Sequence, residues 1–319
     1  MKNVMSFFLG VIIMIVILIG GRYYKLAHNK PQIVMNTLHE NYYNLQNINK
    51  AIETKLGDQY SQDKNKNYEK YIMKLIMEDI NKYESDEMVI YNKYYTKEEL
   101  KTLFSKLSND TDVFEGRYLN NDSYYIKFTS FEKGKTFKEF EEHISDIGDS
   151  RNLVLDIRDN SGGSVDEFKK IMSLFIDEGQ HMFSLVSDTN EEKVYSQNRK
   201  IISVENIILL TNGKTASVSE LMILGLSKYH NNVTIIGTRT RGKYFSFGLK
   251  KYLDGSGVTF VKNIMEGPDK SIIPKNGIEP TIYIGHSEEY YKSLSEVEDQ
   301  KTREKDNRLQ LEEVYRLLN

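Results

Sequence analysis

The chain has 319 residues, with 43 Lys and Arg against 46 Asp and Glu, for a formal net charge of −3. That balance supplies no basic field for nucleic acid, and the absence of cysteine excludes disulfides and thiolate metal sites. No H-E-x-x-H pair occurs, so a zinc-peptidase reading has no footing.

Residues 1–29 form the first segment. Val4 to Gly20 reads VMSFFLGVIIMIVILIG, close to the lower limit of the ~17–25 residues that a membrane-spanning helix needs. The run is long for a signal-peptide core, and no A-x-A site follows it, so a single-pass membrane anchor is expected. Lys2 precedes the run, while Arg22, Lys25 and Lys30 follow it. That charge bias alone leans toward a cytoplasmic body.

Residues 30–115 read as a helical accessory region. Tyr71, Ile72, Leu75, Ile76 and Ile80 recur at helical spacing. Gly57 to Asn67 is polar and reads as a loop. Thr96 and Glu99 form a capping box that opens a helix through Leu107. Nothing in this region suggests chemistry; a role in holding substrate or a partner is expected.

Residues 116–285 carry the alternation of an α/β core. Tyr124 to Phe131 alternates like a strand, and a helix capped at Thr136 presents Phe137, Phe140, Ile144 and Ile147 on one face. Asn152 to Arg158 is the next strand. Ser161-Gly162-Gly163 then leads into a helix at Ser164, capped by Glu167. The plain reading of the glycines is a tight turn. They also leave backbone N–H groups unobstructed before a helix N-terminus. Ile207 to Leu210 is a buried strand, a helix starts near Ser217, and Val233 to Ile236 is another strand. Strand and helix in this order argue for a largely parallel sheet. In such a sheet the loops bearing Ser217 and Lys243 gather at one edge.

Ser217 and Glu220 fit a capping box, which is the plain reading of that serine. A helix start also offers unpaired N–H groups, with Val218 as one donor, where an oxyanion could be held if Ser217 attacked a carbonyl. A base is then required. None of the six histidines (His28, His39, His143, His181, His230 and His286) stands at the end of a predicted core strand beside a glycine turn, and no G-x-S-x-G elbow occurs. Lys243 follows the last strand, 26 residues after Ser217. As a base it must be neutral, with its pKa brought from about 10.4 toward about 7–8 by burial, a shift worth roughly 4 kcal/mol. Gly237 to Lys243 also matches the phosphate-loop pattern G-x-x-x-x-G-K. However, Tyr244 stands where Ser or Thr is needed, and strand rather than helix follows, so no nucleotide or other cofactor is expected.

Four ordered blocks resemble the carboxyl-terminal processing peptidases, or tail-specific proteases. Thr215-Ala216-Ser217-Val218-Ser219-Glu220 is similar to the T-A-S-A-S-E segment of their nucleophile. Thr240-Arg241-Gly242-Lys243 is similar to the T-F-G-K segment of their lysine base. Leu153 to Gly163 (LVLDIRDNSGG) resembles L-I-L-D-L-R-x-N-x-G-G, and Asn276-Gly277-Ile278-Glu279-Pro280 resembles G-I-x-P-D. The resemblance, covering roughly Tyr124 onward, implies a crotonase-like core of strand–strand–helix units and a Ser217–Lys243 dyad. It also implies an oxyanion hole from Val218 and one of Gly162 or Gly163, a polypeptide substrate cut near its C-terminus, and an extracytoplasmic body. Asp156 and Arg158 are expected to organise loops. The family's glutamine four residues after the lysine is Phe247 here, Ser246 points to the other strand face, Arg241 and Tyr244 replace an aromatic and a glycine, and no PDZ domain has an evident place. These departures motivate an alternative, a noncatalytic adaptor that binds peptide tails. An acyl-CoA enzyme on the same core is a third reading, without a motif. Residues 286–319 are charged, with Leu309, Val314, Leu317 and Leu318 spaced like a docking helix.

Overall fold

The structure is a computed structural model that describes residues 33–44, 73, 77–78, 80–82, 84–107, 113–197 and 200–319. The apolar run 4–20 and the polar loop 57–67 lie outside the described residues. Among the described residues, no helix is long and apolar enough to cross a membrane. The chain forms two compact units. The larger comprises Thr111–Val186, Asn190–Phe245 and Ile264–Asn319; the smaller comprises Met1–Asp110, Ser187–Thr189 and Ser246–Asn263.

The larger unit is a mixed α/β body. Its strands are β1 (Phe114–Asn120), β2 (Ser123–Phe128), β3 (Asn152–Asp156), β4 (His181–Val186), β5 (Glu191–Tyr195), β6 (Asn206–Thr211), β7 (Val233–Gly237) and β8 (Ile282–Tyr283). Its helices are α1 (Thr136–Glu141), α2 (Ile144–Gly148), α3 (Val165–Met172), α4 (Val218–Tyr229), α5 (Glu288–Lys292) and α6 (Glu296–Leu318). Six strands form one sheet in the order β8-β7-β6-β3-β2-β1. All neighbours are parallel except the β1–β2 hairpin. The pairing sets Leu155 opposite Leu209, and Leu209 opposite Ile235.

β3 is buried along its whole length and β6 from its second residue on, so these strands read as continuous apolar runs, as expected of a sheet covered on both faces. On one face Tyr125, Val154, Ile208, Leu210 and Ile236 pack with Val314 of α6. The terminal helix is therefore part of the core. The strand expected from Tyr124 to Phe131 stops at Phe128, and Phe131 instead makes an isolated parallel bridge to Gly163. β4 and β5 form an antiparallel hairpin, and β4 also pairs with Ile264–Glu266.

In the smaller unit, residues 33–41 are helical, Asp86–Val89 and Lys97–Leu107 are helices, and Lys93–Tyr95 pairs antiparallel with residues 257–259. The Thr96–Glu99 capping box closes both ways, at 2.9 and 3.3 Å. Glu84 accepts the hydroxyls of Tyr42 and Tyr43 at 2.6 and 2.5 Å. Phe247 sits against the Tyr91 ring, with centroids 5.1 Å apart.

Candidate active site

Ser217 sits on a strained turn. After β6 the chain is pinned three times: Thr215 Oγ1 donates to the Ile157 carbonyl at 2.8 Å, the Thr215 N–H to Asn212 at 2.9 Å, and the Ala216 N–H to the Asn160 carbonyl at 3.0 Å. Ser217 then takes φ 63° and ψ −124°, a conformation that costs a side chain with a Cβ roughly 1–3 kcal/mol. The pinned loop on one side and the start of α4 on the other hold it there. The Ser217–Glu220 capping box is present, with Glu220 Oε2 accepting the Ser217 N–H at 2.8 Å. Val218 opens α4, and its N–H has no hydrogen-bond partner among the described residues.

Glu220 does more than cap. Its side chain is buried and accepts four bonds: from the Ser217 N–H at 2.8 Å, the Lys243 N–H at 2.9 Å, the Gly242 N–H at 2.7 Å and Thr240 Oγ1 at 2.6 Å. Oε2 alone takes both the Ser217 and the Lys243 N–H. Two loops separated in sequence by a helix and a strand are thus fixed to a single oxygen. Burial pushes the Glu220 carboxyl above its ordinary value, and the four donors work against that push. Burial also lowers the Lys243 amine to about 8; the Arg241 guanidinium lowers it further and Glu220 acts the other way.

The lysine loop is held from outside as well. Thr240 exchanges bonds with Ile278, its N–H donating to the Ile278 carbonyl at 3.1 Å and its Oγ1 accepting the Ile278 N–H at 2.7 Å. Gly277, at φ 93°, lies so close that a Cβ there would stand 1.9 Å from the Thr240 carbonyl oxygen. The Asn276–Pro280 block is therefore a brace for the Lys243 loop.

The two loop glycines are not equivalent. The Gly162 N–H donates to Asn160 Oδ1 at 3.0 Å, so it is already engaged. The Gly163 N–H has no hydrogen-bond partner among the described residues, and the flanking Gly162 carbonyl and Ser164 N–H bond to Phe131. Gly162 instead provides closeness: a Cβ at this position, φ 100°, would lie 2.9 Å from Ser217 Cβ and 3.3 Å from its Oγ. Asn160, fully buried, joins the loops by also accepting from Ser219 Oγ at 2.9 Å and donating to the Phe128 carbonyl at 3.0 Å.

Asp156 and Arg158 form a buried pair beneath these loops. Arg158 Nε bonds Asp156 Oδ1 at 2.7 Å, the second guanidinium nitrogen bonds Oδ2, and Tyr125 donates to Oδ2 at 2.6 Å. Arg158 also reaches α6, at the Asn307 carbonyl and Oδ1 (both 3.1 Å) and Gln310 Oε1 (3.0 Å). Burial would raise the Asp156 carboxyl, but Arg158 outweighs it and holds the group below the ordinary carboxylate range.

The structure thus fixes the Ser217 and Lys243 backbones to one carboxylate and places Val218 and Gly162 directly at Ser217. The sequence reading did not find the junction roles of Asn160 and Glu220. Glu220 was visible as a capping residue, but its reach to Thr240, Gly242 and Lys243 has no signature in local spacing.

The profile of peptidase family S41 matches residues 122–284. A "Probable CtpA-like serine protease" of Staphylococcus epidermidis is 30% identical over 154 residues, covering 48% of this chain and 31% of the relative. A protein of the same description from Staphylococcus aureus is 30% identical over the same length, covering 48% and 30%. The alignment therefore spans about a third of the curated relatives' length. Among solved structures, a photosystem II D1 C-terminal processing protease superposes with a TM-score of 0.60 at 15% identity, covering 80% of this chain and 92% of that one. A lipoprotein from Streptococcus agalactiae superposes at 0.55 and 18% identity, covering 84% and 94%.

Proposed function

The chain belongs to peptidase family S41, and from that premise we propose that it is a serine endopeptidase whose nucleophile is Ser217 and whose general base is Lys243. The observation that carries this reading is the Glu220 carboxylate. It ties the backbone of a strained serine to that of a lysine whose amine titrates near 8.

In the proposed reaction the neutral Lys243 amine accepts the Ser217 Oγ proton as the oxygen attacks a peptide carbonyl. The carbonyl oxygen becomes an oxyanion between the N–H groups of Val218 and Gly163. The Lys243 ammonium returns its proton to the leaving amine, and an acyl-enzyme on Ser217 remains. Lys243 next takes a proton from water, the hydroxide attacks the ester, and Ser217 is regenerated. The substrate is an extended polypeptide laid as a strand beside the site and cut near its C-terminus.

On this reading the larger unit has the crotonase-like core, with residues 30–115 as an accessory region and 116–285 as the catalytic segment. Residues 4–20 anchor the chain in the membrane with the catalytic body outside the cytoplasm. The test is cleavage of an unstructured polypeptide by the full chain and by Ser217→Ala and Lys243→Ala. Each variant is expected to lose at least about 10³-fold in kcat/KM, as removal of a dyad member does. Cleavage by Lys243→Ala at the wild-type rate would remove the dyad.

A further inference from the structure

A cavity of about 440 Å³ adjoins the lysine loop. Its wall includes Thr240 and Arg241, the residues just before Gly242-Lys243, and Lys214, three residues before Ser217. Four cationic side chains line it, Lys214, Arg239, Arg241 and Lys292, against one acidic side chain, Glu289. Two of the cations are matched from outside: Arg239 pairs with Glu279, and Lys214 lies 3.6 Å from Asp159. Arg241 is exposed and has no carboxylate within ion-pair distance among the described residues.

Its backbone is held by hydrogen bonds on both sides. The Arg241 N–H donates to the Thr215 carbonyl at 2.9 Å, between the Thr240 and Gly242 bonds to Glu220. A guanidinium on a fixed backbone, in a concave and predominantly cationic wall, suits a carboxylate, which it can grip with two parallel N–H bonds. The position also distinguishes this chain, because the segment it resembles carries an aromatic residue there.

We propose that this cavity is a substrate subsite that receives a carboxylate of the peptide, with Arg241 as its principal ligand and Lys292 as supporting charge. The proposal rests on the peptidase reading for its substrate class. It names the chemistry that reading leaves open: the enzyme selects peptides with an acidic group, either a free C-terminus or a Glu or Asp side chain, beside the scissile bond.

Binding separates this proposal from catalysis. The full chain carrying Ser217→Ala, in detergent, is titrated by fluorescence anisotropy with three labelled peptides of one sequence. The first has a free C-terminus and Gln at the variable position, the second an amidated C-terminus with Glu there, and the third an amidated C-terminus with Gln. At least one of the first two is expected to bind about tenfold more tightly than the third, in keeping with one charge-assisted bidentate contact. Which of the two does so identifies the source of the carboxylate. Arg241→Gln should erase the difference, and Arg241→Lys, which keeps the charge without the fork, should retain part of it. Three peptides binding within twofold of one another, no binding up to 1 mM (roughly −4 kcal/mol), or a preference that survives Arg241→Gln would overturn the subsite. Failure of the wild-type chain to cleave any peptide would remove the peptidase reading and leave the binding result standing.

Discussion

On the proposed dyad, Lys243 sets the pH behaviour of the site. Only the neutral amine can take the Ser217 proton, and the amine titrates near 8. The kcat/KM profile is therefore expected to be low at pH 6, to rise through a midpoint near 8, and to level off above it. A profile flat from pH 6 to 10 would exclude this base. Arg241 lowers the amine, so Arg241→Gln should move the midpoint toward alkaline pH. The same shift has a stability consequence. A lysine whose folded pKa lies below its unfolded value makes its full contribution above the unfolded value, near 10.4, and that contribution is lost as pH falls through about 8. At pH 7 the folded chain thus carries a partly desolvated ammonium, and Lys243→Met should raise Tm at pH 7 while abolishing activity. The gain is on the order of 1–3 kcal/mol once solvent screening of this half-buried group is allowed for. Glu220→Gln tests the neighbouring junction. Four donors converge on Glu220, and an amide would turn a hydrogen-bearing nitrogen toward at least one of them. The expected loss is about 1–3 kcal/mol in stability. A fall of up to about 100-fold in kcat should accompany it as the Ser217 and Lys243 loops lose register. Unchanged kcat in Glu220→Gln would reduce that carboxylate to a helix cap.

At the scale of elements, two glycine turns bring the site together, and both are sensitive to a single methyl group. Gly162→Ala would place a Cβ against Ser217 Cβ at 2.9 Å on a backbone with φ 100°. It should reduce kcat by at least about tenfold through displacement of the nucleophile while leaving the far-UV circular dichroism unchanged. Gly277→Ala would meet the Thr240 carbonyl at 1.9 Å and should displace the whole brace, reducing both Tm and activity. The parallel strands and their helices were legible in the sequence because β3, β6 and β7 are near-continuous apolar runs and α3 and α4 begin with capping pairs. The strand that follows Lys243 was legible too, at Phe245–Lys251, whereas the edge strands β1 and β5 were not. β1 alternates weakly, with only half-buried positions against exposed ones, and β5 has a single half-buried residue among exposed ones. Edge strands of this kind bury neither face fully, so the alternation that marks a half-buried strand is weak in them. The site divides in the same way. Ser217, Val218, the glycine pair and Lys243 are legible as candidates because they stand in short blocks at element ends. The different uses of the Gly162 and Gly163 N–H groups depend on the Asn160 side chain, which no spacing rule reveals.

Across the larger unit, the sheet edge that carries the site is tied to the terminal helix through Asp156 and Arg158, buried to 0% and 2% exposure. Val314 of the same helix closes the apolar cluster on that face, so α6 binds the sheet by packing and by the polar reach of Asn307 and Gln310 to Arg158. The ion pair fixes how stability depends on pH. Asp156 is held below its unfolded value, so its contribution is complete above about pH 4 and is lost as pH falls through the lower folded value. The wild-type chain should accordingly lose Tm in acid. Arg158→Met reverses the sign. Without the guanidinium, burial dominates Asp156 and raises its folded pKa above the unfolded one. The variant's penalty is then greatest at neutral pH, where a buried carboxylate lacks its cation and about 3–5 kcal/mol is at stake, and it is relieved as Asp156 protonates. Tm measured for the two proteins between pH 3 and 8 should therefore converge toward acid, with the wild type falling while the variant rises or holds. Parallel curves would mean that Arg158 acts on α6 alone and that the buried charge pair contributes no pH dependence.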